Sequence, residues 1–210
     1  MEQLAANLLP QATPLFEYMH NRYLRFFIEQ DVVGHMESEL GRDTSIGRVR
    51  VTLCFIDLTG FVRYTEEEGE EEALDLIERF VETVEATLPS EATVVKTIGD
   101  EVMIVSPDPA SLTEWAVGLL ALFQERPQPR VGIHNGYAVY RDGDYFGTEV
   151  NLVHRIVNRA LGGEVLVTDR VVESIEQNEY LRFEPIGAVD LKGFPEPTPL
   201  YLVRPAAEAR

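Results

Sequence analysis

Two short β-branched runs, ATVVKTIG (92–99) and DEVMIVS (100–106), abut at Gly99, and this junction constrains the fold more than any other feature of the chain. There is no room for a crossover between them, so they can only pair as an antiparallel hairpin. The hairpin lies between two helical patterns. EEALDLIERFVETVEATL (71–88) repeats apolar Leu74, Ile77, Phe80, Val81, Val84 and Leu88 at helical spacing, and SLTEWAVGLLALFQER (111–126) reads as a second helix. A strand precedes the first helix, RVRVTLCFID (48–57), and another opens the segment PRVGIHNGYAVYRDGDYFG (129–147) after the second. The order β-α-β-β-α-β predicts an α+β domain with a mainly antiparallel sheet and helices on one face.

A β-rich extension follows. TEVNLVHRIVNRAL (148–161) reads as a helix stopped by Gly162 and Gly163, EVLVTD as a strand, RVVESIE as a short helix, and LRFEPIGAVDL and PLYLVR as terminal strands. The whole is a ferredoxin-like βαββαβ core with extra C-terminal strands, preceded by an N-terminal helical segment. In that segment Pro10 and Pro14 delay the helix, placing its better part at about 13–30, and ELGRDTSIGR forms a polar linker. The expected division is therefore 1–45, a regulatory or dimerising segment, and 46–210, the main domain.

Charge narrows the function. Asp plus Glu number 36 against 18 Lys plus Arg, a net charge of −18. That average field repels phosphate backbones and anionic lipid heads, so neither a nucleic acid nor a membrane is an expected partner. No apolar run approaches the roughly 20 residues of a membrane span. The start of the chain lacks the basic stretch of a secretory signal, so a cytoplasmic setting is expected. Cys54 is the single cysteine, which leaves no internal disulfide; it reads as buried and inert. His20, His35, His134 and His154 show no metal-ligand spacing and read as surface or satisfied polar residues.

Two acids stand out. Asp57 ends an apolar strand, and Asp100 sits at the tip of the hairpin. If the two strands are neighbours, the carboxylates converge at one sheet edge, where with a backbone carbonyl they would suit Mg²⁺ or Mn²⁺. Alternatively, Asp57 caps a helix starting near Thr59 and Asp100 only makes a turn. Asn151 and Arg155, four apart, share a helix face that is either a solvated surface or a site for an oxygen-rich anionic transition state.

Together these pieces resemble the catalytic domain of the class III nucleotidyl cyclases, over about Val49 to Arg204. Four motifs keep the family's order: FIDLTGF (55–61), KTIGDEVM (96–103), RVGIHNG (130–136) and DYFGTEVNLVHR (144–155), with LKGFPEP (191–197) resembling the closing segment. The resemblance implies conversion of ATP to 3′,5′-cyclic AMP and pyrophosphate. It implies two Mg²⁺ or Mn²⁺ ions per site, held by Asp57, Asp100 and the Leu58 carbonyl. Lys96 and Asp144 would read the adenine, Asn151 would orient the ribose, and Arg155 would meet the α-phosphate in the transition state. The family's sites span a homodimer, with Asp57 and Asp100 from one subunit and Lys96, Asp144, Asn151 and Arg155 from the other. A short stretch between Gly136 and Asp144, and SPDP (106–109), resemble the actinobacterial acid-activated subclass.

The chain departs from the family in three places. Val62 replaces a threonine. Val153 and His154 replace small residues before the arginine and would crowd the helix. Phe194 stands where a second lysine would bind the triphosphate, leaving Lys192 as a weak substitute. A guanylate cyclase, or a cyclase-like nucleotide-binding module with little turnover, is the alternative.

Overall fold

A computed structural model describes residues 48–175 and 178–206; the expected N-terminal segment 1–45 and its helix lie outside the described residues. The core follows the expected order: β1 (Arg48–Leu58), α1 (Phe61–Glu68), α2 (Glu70–Thr87), β2 (Thr93–Ile98), β3 (Glu101–Ser106), α3 (Pro109–Leu122) and β4 (Pro129–Arg141). The extension adds β5 (Asp144–Phe146), α4 (Thr148–Arg159), β6 (Val165–Thr168), α5 (Asp169–Ser174), β7 (Leu181–Val189) and β8 (Thr198–Pro205). One eight-stranded sheet runs β2-β3-β1-β4-β6-β8-β7, with β5 on β4. Only the β4–β6 pairing is parallel among the described strands. None of the described helices is long and apolar enough to cross a membrane.

β1 is central because it is apolar on both faces. Cys54, Ile56 and Leu58 pack with Phe80 and Val84 of α2 and with Leu112, Ala116 and Leu119 of α3. Val51, Leu53 and Phe55 face the other way and pack with Val150, Val153 and Val157 of α4. The expectation of helices on one face is therefore corrected: α4 covers the second face. The continuous run VTLCFI is what a strand buried on both sides needs. Close approach of α4 depends on Gly132, where an added Cβ would lie 2.6 Å from the Val157 backbone nitrogen.

The acidic run EEEGEEE breaks the first helical region in two at Gly69, whose φ is 105°. Glu70, Glu71 and Glu72 occupy the first turn of α2, where the helix dipole favours negative charge. Within α2, Ala73 is buried, while Leu74, expected in the apolar stripe, is 56% exposed. Cys54 is fully buried, and burial pushes its thiol far up.

Candidate functional site

Asp57 is the penultimate residue of β1, and its side chain is only 14% exposed. Arg130 lies directly opposite on β4. Its Nε donates to Asp57 Oδ2 at 2.7 Å and its Nη2 donates to the same oxygen. The guanidinium also reaches the end of α4, through the Asn158 carbonyl at 3.1 Å and the Asn158 Oδ1 at 3.0 Å. Asp57 is thus not a helix cap: the N-cap of α1 is Gly60, in the left-handed region at φ 80°, with no side-chain capping bond.

Asp100 occupies the second position of a two-residue turn, Gly99–Asp100, which joins Ile98 to its cross-strand partner Glu101. Gly99 makes the turn with φ 63°. The β1–β3 register, with Ile56 opposite Val102, carries Asp57 and Leu58 toward this turn. The two acids meet there. Burial first, then the charge of Asp57 and a hydrogen bond to it, push the Asp100 carboxyl up to about 6. Two crowded carboxylates of this kind call for a cation. Among the described residues no three His, Cys, Asp or Glu side chains cluster as a metal centre. Two carboxylates with the remaining ligands from main chain, water and phosphate match the way Mg²⁺ is usually held.

Lys96 on β2 and Asp144 at the start of β5 form a second pair, 48 residues apart in sequence. Lys96 Nζ donates to Asp144 Oδ1 at 2.9 Å and to Oδ2 at 2.7 Å. Their side chains are 18% and 20% exposed. Burial lowers the lysine, against the opposing pull of Asp144 and Glu101. The Tyr145 backbone N–H donates to Asp144 Oδ1 at 2.8 Å and fixes the carboxylate further.

Asn151 and Arg155 project from α4 away from its core face, which is formed by Val150, Val153, Ile156 and Val157. Asn151 is exposed and Arg155 half-buried. Arg155 forms no salt bridge among the described residues. The bulky residues beside it are accommodated. Val153 is fully buried against β1, and His154 lies edge-on to Phe55 with ring centroids 5.8 Å apart. His154 Nε2 also meets Glu101 Oε2 at 3.1 Å, tying α4 to the hairpin beside Asp100.

Lys192 is exposed in the β7–β8 connection. Phe194 is partly buried and packs against the cluster of Ile156, Ala160, Leu166, Leu191 and Leu200. The structure therefore gathers Asp57 with Asp100 and Lys96 with Asp144, and sets Asn151 and Arg155 on one helix face. It also adds Arg130, which the sequence reading passed over. The only available signal was its place at the head of RVGIHNG; its position opposite Asp57 depends on strand register.

The Adenylate and Guanylate cyclase catalytic domain family model matches residues 47–204. A pH-sensitive adenylate cyclase from Mycobacterium tuberculosis is 33% identical over 177 residues, covering 83% of this chain and 44% of that protein. An adenylate cyclase from Streptomyces griseus is 37% identical over 165 residues, covering 76% of this chain and 40% of that protein. The chain thus spans less than half the length of these relatives. Among solved structures, the adenylyl cyclase CyaB from P. aeruginosa superimposes with a TM-score of 0.65 at 24% identity, covering 74% of this chain and 94% of that one. At that identity the likeness speaks for the fold.

Proposed function

This chain belongs to the adenylate and guanylate cyclase catalytic domain family, and on that premise we propose that it converts ATP to 3′,5′-cyclic AMP and pyrophosphate at sites shared across a homodimer. The Lys96–Asp144 pair carries the choice of ATP. An ammonium donor held beside a carboxylate acceptor complements adenine, which offers an acceptor at N1 and donors at N6; guanine presents the opposite pattern on that edge.

In the reaction the ribose 3′-oxygen forms a bond to the α-phosphorus, the bond from that phosphorus to the β-phosphate bridging oxygen breaks, and the hydroxyl proton passes to solvent. Asp57 and Asp100, with the Leu58 carbonyl, would hold two Mg²⁺ or Mn²⁺ ions, which supply Lewis-acid activation of the hydroxyl and neutralise phosphate charge. Arg130 fixes the Asp57 carboxylate by two hydrogen bonds. Asn151 orients the ribose. Arg155, unpaired with any described acid, meets the negative charge that develops on the α-phosphate oxygens. No side chain acts as a nucleophile. Lys192 is the remaining candidate for the triphosphate, since the Phe194 side chain is apolar and packs against a hydrophobic cluster.

ATP consumption would place the domain in the cytoplasm. Residues 1–45 would regulate or dimerise the domain, and their removal would change the rate or the sedimentation behaviour. The direct test is cyclic AMP formation by the full chain from ATP, against GTP, with Mn²⁺ or Mg²⁺. The expected outcome is metal-dependent cyclic AMP, abolished by Asp57→Ala or Asp100→Ala in variants of unchanged circular dichroism. Undiminished turnover by either folded variant would overturn the metal assignment, and a preference for GTP would overturn the purine assignment.

A further inference from the structure

A separate cleft of about 1200 Å³ opens at the end of β1 opposite to Asp57, with Arg48, Arg50, Thr52, Asn135, Tyr137 and Arg170 in its lining. The strand pattern explains why these residues converge. Alternation along β1 puts Arg48, Arg50 and Thr52 on one face, and the β4 register sets Tyr137 opposite Arg50 and Asn135 opposite Thr52. Helix α3 begins at Pro109 and α5 ends at Ser174, both at the cleft margin, so this end of the sheet face is left open. In a chain of net charge −18, three arginines around one cleft run against the average field.

Among the described residues, Glu149 pairs with Arg170, and no acid of the cleft forms an ion pair with Arg48 or Arg50. The Glu149 carboxylate already accepts from the Tyr137 backbone N–H at 3.1 Å and from Arg170 at 2.9 Å, and lies 2.7 Å from His134 Nε2. Glu173 is exposed at the margin. Arg50 donates from Nε to Asn135 Oδ1 at 3.3 Å, and the Arg48 guanidinium lies 5.8 Å from the Tyr137 ring centroid. Among the described residues, the buried side-chain nitrogen and oxygen atoms without a hydrogen-bond partner are Arg48 Nε and Thr52 Oγ1, and both belong to residues of this cleft. Thr52 is fully buried. An N–H and a hydroxyl shielded from water and lacking an acceptor are costly to maintain, and here they stand beside two guanidiniums.

We propose that this cleft is an anion site, distinct from the nucleotide site, that takes inorganic phosphate or the phosphate group of a small monoester, whose oxygens accept from Arg48, Arg50 and the Thr52 hydroxyl. Guanidiniums and a hydroxyl at one locus are the donor set such an oxyanion demands. The exposed face of Tyr137 beside them would stack on a planar group carried by a monoester.

The test uses the full chain labelled with ¹⁵N-arginine, with the Arg48 and Arg50 Nε–H resonances assigned through Arg48→Lys and Arg50→Lys. Inorganic phosphate, and in a second arm phenyl phosphate, is titrated at constant ionic strength. Both resonances are expected to shift together and saturate. Thr52→Val should weaken binding about tenfold by removing one hydrogen bond to a charged group, Arg50→Gln should abolish it, and Asp100→Asn should leave it unchanged. Tighter binding of phenyl phosphate would identify a monoester as the ligand, and equal binding free phosphate. Unmoved Arg48 and Arg50 signals in the folded wild type, or undiminished affinity in both Thr52→Val and Arg50→Gln, would overturn the proposal. The readout needs no turnover, so it is decided independently of the cyclase reading.

Discussion

Replacing Asp100 by Asn should stabilise the metal-free protein while abolishing its turnover. In the wild type the carboxyl is raised from an ordinary 3.8 to about 6, first by burial and then by Asp57. Between those values the folded state binds more protons than the unfolded chain, so stability falls as pH rises through that window. A displacement of that size corresponds to about 3 kcal/mol for a group shielded from water. Solvent screening of the half-buried Asp100 reduces it to about 1–2 kcal/mol. Asn carries no charge at any pH, keeps an N–H to donate to Asp57, and suits the second position of a Gly-led two-residue turn. Thermal unfolding without metal at pH 8 should therefore show Asp100→Asn melting about 2–8 °C above wild type, a gap that closes near pH 4. Added Mg²⁺ should raise the wild-type Tm and leave the variant's unchanged, by selective binding to the folded state. A variant no more stable than wild type at pH 8, or a gap independent of pH, would refute the picture of two crowded carboxylates awaiting a cation.

The other substitutions probe neighbouring parts of the same arrangement. Arg130→Met should do the opposite of Asp100→Asn. It strands Asp57, whose side chain is 14% exposed, without its partner, at a cost of about 3–5 kcal/mol in urea unfolding; a loss below about 1 kcal/mol would reduce the pair to a surface contact. Lys96→Glu with Asp144→Cys should cut kcat/KM for ATP by leaving adenine's polar edge unpaired, about 1–3 kcal/mol per group. An unaltered ratio of ATP to GTP use would mean that the pair does not read the base.

Much of this was legible in the sequence because local signals sufficed. Gly99 marks a hairpin wherever it is placed, and the observed strands end and restart around it. The apolar face of 148–161 declares a helix. What the sequence could not show was which sheet face that helix covers, since this depends on β1 being apolar on both sides and on Gly132 admitting the α4 backbone. The helix read over 71–88 does begin just past Gly69, but the apolar periodicity misassigned Leu74, which is exposed while its neighbour Ala73 is buried. Arg130 escaped because a cross-strand partner is defined only by register. The bulk of Val153 and His154 was visible, but its resolution was not: one fills the core and the other packs on Phe55 and pairs with Glu101. Lys96 and Asp144 could be matched to the adenine-reading positions by motif alone, whereas their mutual hydrogen bonds emerge only from the folded sheet.

The shared-site mechanism is tested most directly by a mixed dimer of Asp57→Ala and Arg155→Ala subunits, co-expressed with different tags and purified through both. Each homodimer should be inactive, since every site would lack either its metal half or its arginine half. By two-fold symmetry the mixed dimer contains one site with both defects and one with both halves intact. Its cyclic AMP formation should reach about half the wild-type rate per dimer. A verified mixed dimer with no recovered activity would contradict the account, placing Asp57 and Arg155 in the same subunit's site.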